Sequence, residues 1–167
     1  MTAIDIPGYR ACVGMMLFNS DGLVFTAQRC DTPGEAWQMP QGGVDEGESL
    51  EQAAMRELKE EIGTAEVRIL DRTEQPLLYD LPEELQGKVW GGHYRGQAQH
   101  WFAMRYLGRD CDIDLSGPPR EFEAWRWTPL GELPRLIVPF KRPVYERLVE
   151  RFGYLARRTE SHPGHAG

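Results

Sequence analysis

Cysteine and excess positive charge are both scarce in this chain of 167 residues. The three cysteines, Cys12, Cys30 and Cys111, are widely spaced and form no CxxC pair. This pattern favours free thiols in a reducing compartment over a disulfide framework. The 19 basic side chains are outnumbered by 26 acidic ones, which gives a formal charge of −7. That balance argues against non-specific nucleic-acid binding, but it permits a small basic pocket or a polyanion bound through metal ions.

Long hydrophobic runs and internal repeats are also missing. The first residues include Asp5 and Pro7 where a signal peptide would be basic and then apolar, and their apolar run is too short to cross a bilayer. We therefore predict a cytoplasmic protein with no membrane partner, and we take it to be monomeric. Strand-like and helical patterns alternate, which predicts a single α/β or α+β domain over residues 1–157 and a disordered tail at 158–167.

Hydrophobic periodicity and turn signals predict the elements. The polar, Gly-rich segment 82–96 reads as a long loop, and such loops in compact domains are often functional. Ser49 and Gln52 match a capping box, and Gly63 matches a helix stop. Strands are predicted at 9–18, 23–29, 65–71, 97–107 and 122–128, an extended segment at 75–81, a loop at 30–43, helices at 50–62 and 142–158, and a helical turn at 129–136.

Three glutamates in the segment RELKEEIG, residues 56–63, have the spacing i, i+3, i+4. Spacing alone favours a solvated charge run. On a helical wheel, however, Glu57 and Glu61 lie against the apolar stripe, and burying a carboxylate is costly unless it is paired. Arg56 lies elsewhere on the wheel and cannot neutralise all three. Mg²⁺ or Mn²⁺, which prefer oxygen ligands, could do so.

The residues before this helix complete a longer motif. A Gly-rich turn leads into the helix, and its two glycines permit a close backbone approach to a ligand. The chain matches G-x5-E-x7-R-E-U-x-E-E-x-G-U, where U is a bulky apolar residue, at Gly42, Glu48, Arg56, Glu57, Glu60, Glu61 and Gly63. This motif resembles the box of the Nudix hydrolases. The last position departs from it, because Thr64 replaces an apolar residue, and we expect this change to affect packing after the helix more than the metal site.

The resemblance implies an α/β/α sandwich around a mixed sheet. It also implies hydrolysis of a nucleoside diphosphate linked to another group, with two or more Mg²⁺ or Mn²⁺ ions. Glu57, Glu60 and Glu61 would be metal ligands, or one of them a base, and Gly42 would belong to the metal site. Glu48 would pair with Arg56 and orient the helix. We expect Arg56 to pair with Glu48 and with none of the three glutamates.

Stretches outside the motif resemble the bacterial RNA pyrophosphohydrolases and the similar dinucleoside polyphosphate hydrolases, over about residues 8–153. Carried over by position, Glu121 would be an extra metal ligand or general base, although alone it reads as an exposed loop acid. Phe140 would stack on a nucleobase, although it could instead anchor the last helix. The substrate-binding residues expected from this resemblance are Arg10, Arg29, Gln41, Gly42, Gly43, Gln97, Phe140 and Lys141.

Four functions remain open from the sequence. The leading one is metal-dependent conversion of 5′-triphosphorylated RNA ends to 5′-monophosphate. The alternative is cleavage of a dinucleoside polyphosphate such as diadenosine tetraphosphate. A nucleotide-binding module without catalysis would usually lack some of the motif glutamates, and all are present. A metal-free structural domain leaves Glu61 unexplained. His100 stands where the RNA enzymes are expected to carry a lysine, which would weaken a phosphate contact if this residue makes one.

Overall fold

The computed structural model describes residues 1–30, 36–118 and 120–161, with side chains described as far as residue 156. Strands and helices alternate along the chain, and short 3-10 turns precede the last two helices. The strands are β1 (Tyr9–Phe18), β2 (Val24–Arg29), β3 (Gln41–Gly43), β4 (Val67–Arg72), β5 (Leu77–Asp80), β6 (Gly96–Tyr106) and β7 (Phe122–Thr128), and the helices are α1 (Leu50–Ile62), α2 (Leu133–Leu136) and α3 (Arg142–Ser161).

Within the described residues, seven strands form one mixed sheet. Its order is β4-β6-β1-β2-β7, with β3 paired to β1 and β5 paired to β6. The pair β1–β6 is parallel, and the remaining pairs are antiparallel. Since β1 lies at the centre, its side chains are buried on both faces: Met15 and Leu17 face one core, and Met16 and Phe18 face the other.

Each face of the sheet is covered by helix. Helix α1 packs its apolar residues against the core that contains Met15, while α2 and α3 cover the core that contains Met16. The predicted α/β/α sandwich with a central mixed sheet is therefore confirmed. The C-terminal half of α1 and the 3-10 turn before α3 contribute side chains to the same cavity.

Helix α1 begins and ends where its sequence predicts. The side chain of Ser49 accepts a hydrogen bond from the Gln52 backbone N–H at 3.1 Å, and Gln52 Oε1 accepts one from the Ser49 N–H at 2.9 Å. Gly63 ends the helix in the left-handed region at φ 79°. A Cβ atom there would also lie 2.9 Å from the carbonyl oxygen of Asp114, so both conformation and space require glycine.

The structure differs from the predicted elements in three places. The loop predicted at 30–43 contains β3, a three-residue strand that glycine-rich sequence does not favour. Strands β4 and β5 start at Val67 and Leu77, each two residues later than predicted. Helix α3 continues to Ser161, so it enters the segment predicted as a tail, and the rest of that segment lies outside the described residues.

Two further observations concern compartment and membrane. Cys12, Cys30 and Cys111 are free thiols, Cys12 buried and the other two exposed. In the described parts of the chain, no helix combines the length and apolarity needed to cross a bilayer.

Candidate active site

A cavity of about 680 Å³ lies beside β3, and residues from both layers of the sandwich line it. Leu81, Leu85, Val89 and Val138 give it an apolar side. Eleven of the residues predicted from sequence lie on its wall, and they are Arg10, Arg29, Gln41, Gly42, Gly43, Glu57, Glu61, Gln97, Glu121, Phe140 and Lys141.

Three carboxylates, those of Glu57, Glu61 and Glu121, lie close together on the cavity wall. Glu61 lies in the buried stripe of α1 and is 6% exposed, and its Oε2 has no hydrogen-bond partner within the described residues. Burial raises the pKa of Glu61 well above its usual range, and the negative charges of Glu121 and Glu57 raise it further. Burial also raises the pKa of Glu57, although Arg56 opposes the shift. The cluster needs a proton or a cation to compensate its charge.

Two glycines of β3 make room for charged side chains. A Cβ atom on Gly42 would lie 2.0 Å from Cδ of Glu57, so the Glu57 carboxylate rests directly on the Gly42 backbone. A Cβ atom on Gly43 would lie 2.2 Å from Nη2 of Arg10. Neighbouring residues of a strand face opposite sides, so β3 presents a carboxylate site on one side and a guanidinium site on the other.

The Arg56 guanidinium holds the Gly-rich turn to α1. It donates to both carboxylate oxygens of Glu48, at 2.7 and 2.9 Å, and to the carbonyl oxygen of Gly43 at 2.8 Å. This ion pair lowers the pKa of Glu48 to about 2, with the hydrogen bond from Arg56 as the largest cause. The predicted Glu48–Arg56 contact is thus present in the structure.

The expectation that Arg56 avoids the motif glutamates is wrong. Its Nη1 donates to Glu57 Oε1 at 2.8 Å and lies 3.4 Å from Glu60 Oε2. The physical reason is that a guanidinium carries five N–H donors in a rigid fork, so it can serve several carboxylates at once. The wheel gives the direction of the Arg56 Cβ atom, but not the reach of its side chain.

Not all predicted catalytic residues reach the cavity. The Glu60 side chain is 59% exposed, and Glu48 and Arg56 lie behind the cavity wall. The structure therefore brings Glu57, Glu61 and Glu121 together and leaves Glu60 at the surface. The metal-ligand role of Glu60 stays a prediction.

The cavity wall also carries cationic and aromatic side chains. The Lys141 ammonium lies 5.4 Å from the ring centroid of Tyr79, and the Arg10 guanidinium lies 5.5 Å from that of Trp90. Burial, and then the positive charge of Arg29, lower the pKa of Lys141 to about 8. The cavity therefore combines carboxylates that suit cations with basic groups that suit phosphate.

Tyr79, Trp90 and Gln99 were not assigned a role from the sequence. Tyr79 and Trp90 line the cavity, and Gln99 lies just beneath it, bonded to Gln41. Trp90 falls within the loop predicted to be functional, so a signal for it existed. Tyr79 and Gln99 share a face of paired strands with Gln97, which only the sheet register shows.

Two positions that depart from the resemblance lie away from the cavity. His100 is buried, and its Nε2 accepts a hydrogen bond from the backbone N–H of Ile4 at 3.4 Å. It is absent from the cavity wall, so it makes no contact that a phosphate-binding lysine would make. Thr64 is buried after α1, where its Oγ1 accepts a hydrogen bond from the Glu66 N–H at 3.3 Å.

The three carboxylates on the cavity wall fit a hard divalent cation. Within the described ranges no group of three His, Cys, Asp or Glu side chains closes into a finished metal cage, because Glu57 is turned toward Arg56 and Glu60 faces solvent. The orphaned Oε2 of Glu61, beside two further carboxylates, nevertheless supplies the oxygen donors that Mg²⁺ and Mn²⁺ prefer.

Comparison with known proteins assigns the fold and motif to a family. The NUDIX domain model matches residues 8–148, and the chain belongs to the Nudix family. It is 58% identical to the RNA pyrophosphohydrolase of Sphingopyxis alaskensis over 149 residues, covering 88% of this chain and 94% of that protein. It is 56% identical to the RNA pyrophosphohydrolase of Rhodospirillum rubrum over 149 residues, covering 89% of each.

Solved structures agree on the fold. The E. coli dihydroneopterin triphosphate pyrophosphohydrolase matches with a TM-score of 0.67 at 23% identity, over 86% of this chain and 98% of that one. The C. elegans Ap4A hydrolase in a binary complex matches with a TM-score of 0.62 at 20% identity, over 86% and 98%. At these identities the likeness supports the architecture alone.

Proposed function

We propose that the protein is a divalent-metal-dependent RNA pyrophosphohydrolase that converts 5′-triphosphorylated RNA ends to 5′-monophosphate. The observation that carries this proposal is that carboxylate, cationic and aromatic side chains line one and the same cavity. A triphosphorylated RNA end has matching parts, because its phosphates need cations and its unpaired base can stack on an aromatic ring. Relatives more than half identical to this chain, named as RNA pyrophosphohydrolases, support the choice of substrate.

Different residues of the cavity would bind the metal ions, the phosphates and the base. Glu57, Glu61 and Glu121 would hold the metal ions, with Glu60 joining them if its exposed side chain turns inward. Bound Mg²⁺ or Mn²⁺ supplies neutralisation of phosphate oxygens and lowers the pKa of water. Arg10, Arg29 and Lys141 bind the phosphates, and Phe140 stacks on a base. Arg56 holds Glu57 in place from behind.

Proton transfer falls to one of two carboxylates. Glu57 or Glu121 accepts the proton of the attacking water, which forms the new P–O bond while the bond to the departing phosphate breaks. The leaving group is pyrophosphate, or phosphate released stepwise. Both carboxylates lie on the cavity wall, where a substrate phosphate would meet them.

A direct comparison of substrates tests the proposal. Purified protein with Mg²⁺ is given 5′-triphosphorylated RNA and diadenosine tetraphosphate side by side, and kcat/KM is measured for each. We expect a higher value for the RNA. A far higher value for the dinucleotide would instead assign the alternative function, to which the aromatic rings of Trp90 and Phe140 on one cavity wall would also be suited.

The variant Glu57→Gln tests whether the protein catalyses hydrolysis or only binds a nucleotide. This variant keeps the shape of the side chain and removes its charge, and we expect Mg²⁺-dependent phosphate release to fall by about a hundredfold or more. The matched control is Glu146→Gln, an exposed residue of α3. If Glu57→Gln retained full metal-dependent turnover, the assignment of the metal site would be wrong.

A further inference from the structure

A chain of side-chain amides runs beneath the cavity floor. Gln97, Gln99 and Trp101 alternate along β6 and therefore face the same side of the sheet. Trp101 Nε1 donates to Gln99 Oε1 at 3.1 Å, and Gln99 Nε2 donates to Gln97 Oε1 at 2.9 Å. Gln99 Nε2 also donates to Gln41 Oε1. Gln41 and Gln97 line the cavity, whereas Gln99 and Trp101 do not.

The direction of this chain follows from the chemistry of its first member. An indole N–H can only donate, so the group of Gln99 that meets Trp101 must be Oε1. Gln99 then turns both hydrogens of its Nε2 toward Gln41 and Gln97, which must accept with their oxygens. The Tyr79 hydroxyl donates to the second lone pair of Gln97 Oε1 at 2.8 Å. With their oxygens turned toward Gln99, Gln41 and Gln97 direct their NH₂ groups to the cavity.

The donor at the start of the chain is rigidly held. The ring of Trp101 lies against the backbone of Gly14, where a Cβ atom would come within 2.5 Å of the indole. The Tyr145 ring meets it edge-on at 6.0 Å between centroids, and the Trp101 backbone N–H donates to Thr73 Oγ1 at 3.0 Å. Since Trp101 is only 1% exposed, its N–H has no water to bond with in place of Gln99.

Without the Trp101 N–H, the same amides could form an equally complete series of hydrogen bonds in the opposite direction. Gln99 could then turn its oxygen toward Gln41 and Gln97, and those two would donate to it and face the cavity with their oxygens. Carbonyl oxygens on the wall would repel the phosphoryl oxygens that NH₂ groups would bind. The single buried N–H of Trp101 thus decides which groups Gln41 and Gln97 present to the cavity. With it they present NH₂ groups, which bind polyphosphate, and without it they could present oxygens, which repel polyphosphate.

We infer that Trp101 and Gln99 are positioning residues that set Gln41 and Gln97 as paired amide donors to the phosphoryl oxygens of the substrate. The inference rests on the proposed function for the identity of that substrate. It adds two residues that never touch the substrate and explains why a glutamine pair in the wall acts as donors only.

Three variants change the chain in graded ways. Trp101→Phe keeps an aromatic ring and removes the donor, and Gln99→Met breaks the chain without adding charge. Gln99→Glu offers only acceptors when ionised, so it draws both NH₂ groups away from the cavity. The matched control is Trp127→Phe, which removes an indole N–H bond to Asp110 on the far side of the sheet.

The kinetic readout is the split between KM and kcat for 5′-triphosphorylated RNA. We expect KM to rise about fivefold in Trp101→Phe and Gln99→Met, and more in Gln99→Glu, with kcat within about twofold. Trp127→Phe should match wild type. Equal KM values in wild type and in the folded Trp101 and Gln99 variants would overturn the inference, whereas a wild type inactive on RNA would overturn the proposed function instead.

A measurement without turnover completes the test. The side-chain amide resonances of Gln41 and Gln97 are assigned from the signals lost in Gln41→Leu and Gln97→Leu, and wild-type protein is titrated with inorganic tripolyphosphate. Donation to phosphate should move these NH₂ proton signals downfield. Unmoved signals at saturating tripolyphosphate would contradict the inference even if every chain variant failed to fold.

Discussion

Lys141 shows at the scale of one residue how burial sets a working pH range. Because burial and Arg29 lower its pKa to about 8, the ammonium is charged below that pH and neutral above it. We therefore expect kcat/KM for triphosphorylated RNA to fall about tenfold as the pH rises from 7 to 9, when a charge-assisted contact is lost. The measurement is a pH–rate profile at saturating Mg²⁺.

The control for this profile is Lys141→Arg. A guanidinium stays charged throughout this range, so the variant should lose the fall near pH 8 even if its activity is lower overall. Parallel profiles for wild type and variant would show that another group titrates.

Gly42 makes a second residue-scale prediction. A methyl group there would overlap the Glu57 carboxylate, so Gly42→Ala should displace Glu57 and lower metal-dependent kcat by about tenfold or more, with little loss of fold. The control is Gly131→Ala, because a Cβ atom at Gly131 meets nothing within 4 Å. Equal activity in the two variants would mean that the position of Glu57 does not matter.

For single residues, prediction from the sequence was correct where the helical periodicity supplied the signal. The wheel placed Glu61 in the buried stripe of α1, where the structure has it. The wheel could not foresee that Arg56 also reaches Glu57, because side-chain reach is independent of Cβ direction. The role of Gln99 depends on which strand lies beside β6, and no local pattern reports that.

At the scale of an element, the Glu48–Arg56 pair joins the Gly-rich turn to α1. The pKa of Glu48 is lowered to about 2 in the folded protein, against about 4.3 in an unfolded chain. Its stabilisation is therefore present above the unfolded pKa and is lost as the pH falls toward 2.

Glu48→Gln should remove that acid-sensitive contribution. We expect the free energy of unfolding to drop by about 1–2 kcal/mol at neutral pH, with a smaller difference between variant and wild type at pH 3. Urea denaturation at the two pH values measures it. A constant difference across this range would show that the charge of Glu48 is not what stabilises the turn.

Helices and strands could be predicted from the sequence where capping residues or turn residues mark their ends. The capping box and Gly63 define α1. The strands predicted at 9–18 and 23–29 form the hairpin of β1 and β2, and in its turn Asn19 Oδ1 accepts hydrogen bonds from the backbone N–H groups of Asp21 and Leu23. Strand β3 has no such signal. Its sequence, QGG, has a low strand propensity, so its pairing with β1 depends on tertiary contacts.

For the whole molecule, the two cores on either face of the sheet should unfold together. Leu148 of α3 is fully buried, so Leu148→Ala should lower the free energy of unfolding by about 2–5 kcal/mol. Tryptophan fluorescence and far-ultraviolet circular dichroism should give the same midpoint.

The control for this experiment is Leu107→Ala, whose native side chain is 58% exposed, and which should change stability by under about 0.5 kcal/mol. Separate midpoints for the two probes would show that the layers are independent. The sandwich itself was predictable only through the motif, because composition and periodicity leave the strand order open.

The parallel pairing of β1 with β6 also has a consequence in time. It joins Tyr9 to Gly96 and Phe18 to Arg105, so the central pair of the sheet closes only after most of the chain is available. Such distant pairing slows folding, since the entropy of closing a long loop is lost before the contacts form. During synthesis, helix α1 with Glu57 and Glu61 therefore leaves the ribosome well before strand β6, which carries the amides beneath the cavity. We expect a nascent chain that stops before residue 96 to resist neither protease nor heat.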